Sequence, residues 1–199
     1  MKRLAILIAG AAILAACQTG APPPPPPGAA MIDPNDPRFA PGFMAQAASG
    51  GQFEIQSSQL ALQMSQNAAV RNFANMMIAD HSRLNQAVAA AATSARLTPP
   101  APVLLPADQA MFDQLRAAGA GPSFDLAYKN AQITAHQNAL QLMQAFAANG
   151  DVPALRSAAA QAVPVVQMHL NQAQMLPVAP VAPPPPPPAA PVGRAGERG

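Results

Sequence analysis

Residues 68–95 read AAVRNFANMMIADHSRLNQAVAAAATSA. Val70, Phe73, Met77, His81, Leu84 and Val88 recur at spacings of three and four, which puts them on one face of an α-helix. Ala, Asn, Met and Gln surround them and β-branched residues are scarce, so nothing competes for a strand. The face is apolar except at His81, which follows Asp80 directly.

The same pattern extends in both directions. Upstream, residues 39–64 carry Phe43, Ala47, Gly50, Glu54, Ser57, Ala61 and Met64 on one face, with Gly50-Gly51 weakening the helix or admitting a close crossing. Downstream, Pro99, Pro100, Pro102 and Pro106 break the chain before a short helix at 107–118 and a turn at Gly119–Pro122. A third long helix at 123–148 carries Leu126, Ile133, His136, Leu140, Met143 and Ala147, and Phe124, Tyr128, Ala131 and Ala135 broaden its face. Asn149-Gly150-Asp151 ends it, with Asp151 expected to cap the next helix and Pro153 suited to its first turn. That last helix places Leu155, Ala159, Ala162, Val166, His169, Ala173 and Leu176 on one face, and Pro164 is expected to bend it. Two short connections predict antiparallel neighbours. The expected fold is therefore an all-α, antiparallel four-helix bundle over residues 39–176, with an extra short helix in a longer connection that crosses the bundle end.

The flanks differ in kind. Lys2 and Arg3 precede an apolar run from Leu4 to Leu14, shorter than the ~20 residues that span a bilayer, and Leu14-Ala15-Ala16-Cys17 follows. Charge, a short apolar core and small residues before the chain's single cysteine resemble a bacterial lipoprotein signal over residues 1–16, with Cys17 as the lipidated first mature residue. Such a chain is exported and membrane-anchored through Cys17. Gln18, rather than Asp, resembles outer-membrane sorting, with the bundle facing the periplasm. Polyproline runs at Pro22–Pro27 and Pro183–Pro188 mark a semi-rigid stalk at 17–38 and an extended tail at 177–199, read as spacer sequence. The single cysteine excludes an internal disulfide. Subtracting Lys2 and Arg3 from the 11 basic residues balances the 9 acidic ones, so the high pI belongs to the precursor and no basic stripe invites nucleic acid.

Chemistry concentrates at one place. The chain has three histidines, His81, His136 and His169, each on the apolar face of a different helix. Glu54 is the only acidic residue of the first helix. Counted from the end taken to carry both short turns, the four lie within roughly 10 Å along the bundle axis, at ~1.5 Å rise per residue. Imidazole and carboxylate donors suit one transition-metal ion, Zn, Cu or Fe, and Asp80 is placed to orient a neighbouring imidazole. The other reading is a buried polar layer that fixes register without metal. Di-iron chemistry of the ferritin type needs Glu-x-x-His on two helices, whereas Ile78, Ile133 and Val166 stand three residues before the histidines. Methionines on the same helices read as core filler rather than thioether ligands.

The segments Gly50–Glu54, Arg71–His81, Phe124–Tyr128 with His136, and His169-Leu170 resemble the bacterial domain of unknown function 4142, over roughly residues 39–176. That resemblance implies a ferritin-like helical bundle in an exported or outer-membrane protein. It also implies Asp125 and Tyr128 as supporting residues beside Glu54, Asp80 and the histidines. Three functions follow. The first is an envelope lipoprotein, not an enzyme, with one metal ion in its bundle. The second is a metal-dependent redox enzyme, and the third a structural or partner-binding bundle whose protein partner the sequence does not name.

Overall fold

A computed structural model describes residues 36–180; the signal segment, Cys17, the polyproline stalk and the tail beyond Pro180 lie outside the described residues. Five helices follow in order: α1 Ala40–Met64, α2 Ala68–Ser94, α3 Pro106–Ala117, α4 Pro122–Asn149 and α5 Pro153–Met175. Local chemistry sets their starts. Prolines occupy the first turn of α1, α3, α4 and α5, where the missing N–H has no intrahelical partner to lose. At α2 the Asn67 side chain accepts from the Ala69 N–H at 2.9 Å. Gly121 enters α4 at φ 84°, a left-handed conformation that favours glycine.

The helices form a four-helix bundle in which α1 packs on α2 and α4, α5 packs on α4 and α2, and α3 lies against α1 and α4. Three hydrogen bonds fix the direction of the chain. The Gly121 N–H donates to the Met64 carbonyl at 3.1 Å, so α4 begins where α1 ends. The Ala40 N–H donates to Asp151 Oδ1 at 2.9 Å, so the α4–α5 turn lies where α1 begins. The Asn67 side-chain amide donates to the Pro177 carbonyl at 2.8 Å, so α5 ends beside the α1–α2 turn. Neighbouring helices are antiparallel as expected, but the two short turns sit at opposite ends, not the same one. The α2-to-α4 connection accordingly runs the length of the bundle instead of crossing its end. One long crossover of this kind is the ferritin-like course.

Two local expectations are also corrected. Asp151 caps α1 from across the bundle, whereas α5 has no side-chain cap. Leu126 is exposed, and the buried face of α4 instead includes Gln132 and Phe146. The Gly50-Gly51 pair admits a close approach: a Cβ on Gly51 would fall 2.0 Å from Asn85 Oδ1 of α2, while one on Gly50 would meet nothing within 4 Å.

The core is two apolar clusters. One gathers Phe43, Met44, Met143, Phe146 and Leu155 near the α4–α5 turn, with the Phe43 and Phe146 rings stacked at 3.9 Å. The other gathers Val70, Phe73, Met77, Leu115, Phe124 and Tyr128 toward the α1–α2 turn. Between them along the chain fall Glu54, His81, Gln132 and His136, all buried. Among the described residues, no helix is long and apolar enough to cross a membrane.

Candidate metal centre

The histidines come from α2, α4 and α5, and each is carried inward by the apolar face on which it sits. All three are buried, with ring centroids 5.3 to 5.4 Å apart in every pairing. One ligand atom from each lies within 4.8 Å of the other two.

Two tautomers are fixed from behind. His136 Nδ1 lies 2.8 Å from the Gln132 carbonyl. A carbonyl only accepts, so Nδ1 carries the proton and Nε2 presents a lone pair. His169 Nε2 lies 3.0 Å from Asp80 Oδ2, so Nε2 donates and Nδ1 presents the lone pair. Asp80 is held in turn by Arg83 at 3.2 Å. His136 Nε2, His169 Nδ1 and His81 Nε2 are buried without any hydrogen-bond partner. A buried polar atom left unpaired costs about 1–3 kcal/mol. Three in one small volume form an arrangement that a Lewis-acidic cation satisfies and that protein hydrogen bonds do not.

Electrostatics favours the neutral, ligating form. Burial holds the His136 imidazole down to about 4, opposed by its bond to the Gln132 carbonyl and aided by His169, and burial holds His81 well below its ordinary 6.5, aided by His136 and His169. Burial also lowers His169, although its bond to Asp80 pulls the other way. Neutral imidazole is the form that binds metal.

The remaining predicted residues take different places. Glu54, expected as a ligand, sets Oε1 3.4 Å from His136 Nδ1, the ring nitrogen facing away from the unpaired Nε2. It stands behind His136 and is absent from the close group of ligand atoms. Burial raises its carboxyl well above the usual range, against a smaller opposite pull from the Gln132 side chain. Asp80 supports His169. Tyr128 hydrogen-bonds Ser58 at 2.8 Å and packs on Phe73 and Phe124, so it belongs to the apolar cluster toward the α1–α2 turn. Asp125 lies in the first turn of α4, eleven residues before His136, or about 16 Å along the helix. Gln132 was missed. Its carbonyl orients His136 and its side-chain amide donates to Ser57 at 3.1 Å. Its position four residues before His136 was the available signal, since a histidine can bond back one helical turn.

His81 and Glu54 also form part of the wall of a cleft of about 610 Å³ whose lining includes Gly50, Gly51, Asn85 and Asn138. His136 and His169 are not on that wall.

Fold and site together define a class: a ferritin-like four-helix bundle with three convergent imidazoles in its core, two of them with fixed tautomers. Residues 21–176 match the family described as domain of unknown function (DUF4142), and the chain belongs to that family. A solved structure, that of CopM in the Cu(II)-bound form, is similar in fold, with a TM-score of 0.57 and 18% identity, covering 69% of this chain and 94% of that one. No curated protein matches the sequence.

Proposed function

We propose that this is an exported, lipid-anchored envelope protein whose bundle binds a single transition-metal ion through His81 Nε2, His136 Nε2 and His169 Nδ1. The observation that carries the metal reading is the set of three unpartnered imidazole nitrogens, two of them with lone pairs fixed inward by Gln132 and Asp80. Imidazole sets suit copper and zinc, and copper is the first candidate because the similar fold is known in a Cu(II)-bound form. Such an ion supplies Lewis acidity and, if copper, one-electron chemistry. The chain's own residues hold protons on the outward ring nitrogens, keep the imidazoles neutral and exclude water with apolar clusters on both sides. The anchor rests on Leu14-Ala15-Ala16-Cys17, and outer-membrane placement on Gln18.

The purified chain is expected to take up one equivalent of Cu(II) or Zn(II) by elemental analysis. A His81→Ala, His136→Ala double variant is expected to take up none stoichiometrically. Asp80→Ala, which frees the outward nitrogen of His169, is expected to weaken binding by about 10–100-fold. Equal, sub-stoichiometric metal in all three would sink the site and leave the polar-layer reading. Separately, acyl labelling of the chain is expected to vanish in Cys17→Ser, and unchanged labelling would sink the anchor.

A further inference from the structure

We infer that the cleft between α1 and α4 is a binding site for one uncharged, largely hydrocarbon molecule: a medium-length alkyl chain with a small neutral polar end. This does not depend on the metal reading, although the cleft touches His81 and Glu54.

Four observations carry it. First, the core loses volume at this level. The stacked Phe43 and Phe146 fill it toward the α4–α5 turn, and Phe124, Tyr128 and Leu115 fill it toward the α1–α2 turn. Between them the cleft is lined by small residues, among them Ala47, Gly50 and Gly51 of α1, Ala135 and Ala139 of α4, and Ala162 of α5. Protein interiors pack as densely as organic crystals, so a space of about 610 Å³ is far larger than a packing fault and falls in the range that holds small ligands. Second, Gly50 has no packing reason to be glycine. A Cβ on Gly51 would strike Asn85, whereas one on Gly50 meets no atom within 4 Å. A glycine inside a helix weakens it, and the effect of this one is to keep the cleft wide. Third, the space is long and apolar. Its α4 lining runs from Ala135 to Ala145, about 15 Å along the helix, and includes Leu142 and Met143. Fourth, the charges of the lining are already engaged. Among the described residues its one basic group, Arg38, pairs with Asp36 at 2.6 Å. Asp108 accepts from the Ser49 hydroxyl, and burial holds Glu54 neutral. The amides of Asn85 and Asn138 offer a polar end group uncharged partners. A neutral alkyl chain fits the length, the apolar walls and the absence of an available charge.

Gly50 supplies the test, because a larger side chain there fills the cleft without striking the bundle. The full chain is titrated with N-phenylnaphthylamine, an uncharged probe that fluoresces in apolar surroundings, and then with decanol, decanoate and decylammonium as competitors. One saturable probe site is expected, emptied by decanol, with the two charged competitors at least tenfold weaker. Gly50→Leu is expected to melt no lower than the unsubstituted chain and to bind the probe at least tenfold more weakly. Gly50→Met, whose side chain is more flexible, is expected to do the same. Ala87 lines a separate groove between α2 and α5, and Ala87→Leu is expected to bind the probe normally. The absence of a saturable site overturns the inference. So does normal binding by either Gly50 variant, or loss of binding in Ala87→Leu. A Gly50 variant that melts lower shows that the space is not open, and overturns it as well. A charged competitor that matches decanol overturns the ligand class. None of these results bears on the metal centre, whose test is metal uptake.

Discussion

Saturating Cu(II) or Zn(II) is expected to raise the thermal unfolding midpoint of the chain by on the order of 10 °C, and to leave the His81→Ala, His136→Ala variant unmoved. The size follows from linkage. An ion at about 1,000 times its dissociation constant stabilises the folded state by ~4 kcal/mol, provided the unfolded chain does not bind it comparably. For a domain of this length each kcal/mol moves the midpoint by roughly 3 °C. The unfolded chain has little affinity to offset this, because its three histidines are separated by 55 and 33 positions in sequence and meet only when α2, α4 and α5 pack. Mg(II), which prefers oxygen donors, is the control and should give no shift. A scanning calorimetry or circular dichroism melt with each ion checks it. The same rise in the double variant would place the binding elsewhere and remove the basis for the centre.

How much of this was legible in the sequence depends on the kind of information each residue carries. The helices were legible because their faces repeat every three to four residues, and Pro153 marks the start of the last one. His81, His136 and His169 were legible as a group because each interrupts an otherwise apolar face. Chain direction was not. The position of the α4–α5 turn depends on tertiary contacts, Gly121 to Met64 and Ala40 to Asp151, that no local pattern encodes. The histidines converge even so, because His81 and His136 lie near the middles of α2 and α4, and such residues reach the middle layer from either end. Glu54 shows the limit of height arguments. It lies at the right level, yet rotation about the helix axis sets its carboxyl behind His136. Gln132 and Leu126 show the same limit on α4, where the buried face is rotated from the one that periodicity picked out. Gln132 is polar and reads as surface, but Ser57 of α1 gives its amide a buried partner.

The last expectation separates a centre built for metal from a layer built for stability. Replacing the three histidines by Leu and Glu54 by Met is expected to make the metal-free protein more stable at pH 7, by at least about 2 kcal/mol in urea unfolding. The substitutions remove four buried atoms that have no hydrogen-bond partner and join the two apolar clusters through side chains of similar size. The pH dependence should change with them. In the native chain His136 is held at about 4 against its ordinary 6.5. Between those values the unfolded state gains a proton that the folded state refuses, so stability falls as pH drops from about 6.5 to about 4, by on the order of 3 kcal/mol from this group. His81 acts in the same sense. Glu54 acts oppositely: its raised carboxyl keeps a proton that the unfolded state has lost, so its contribution weakens as pH rises above its ordinary 4.5. The native layer is thus costly at either end, through the histidines in acid and Glu54 at neutrality, whereas the apolar variant has neither cost and a flatter profile. A structural polar layer makes the reverse prediction, since removing it would lose stability at every pH. Urea titrations of both metal-free proteins at pH 4, 5.5 and 7 distinguish the two, and a less stable apolar variant would assign the histidines to the fold.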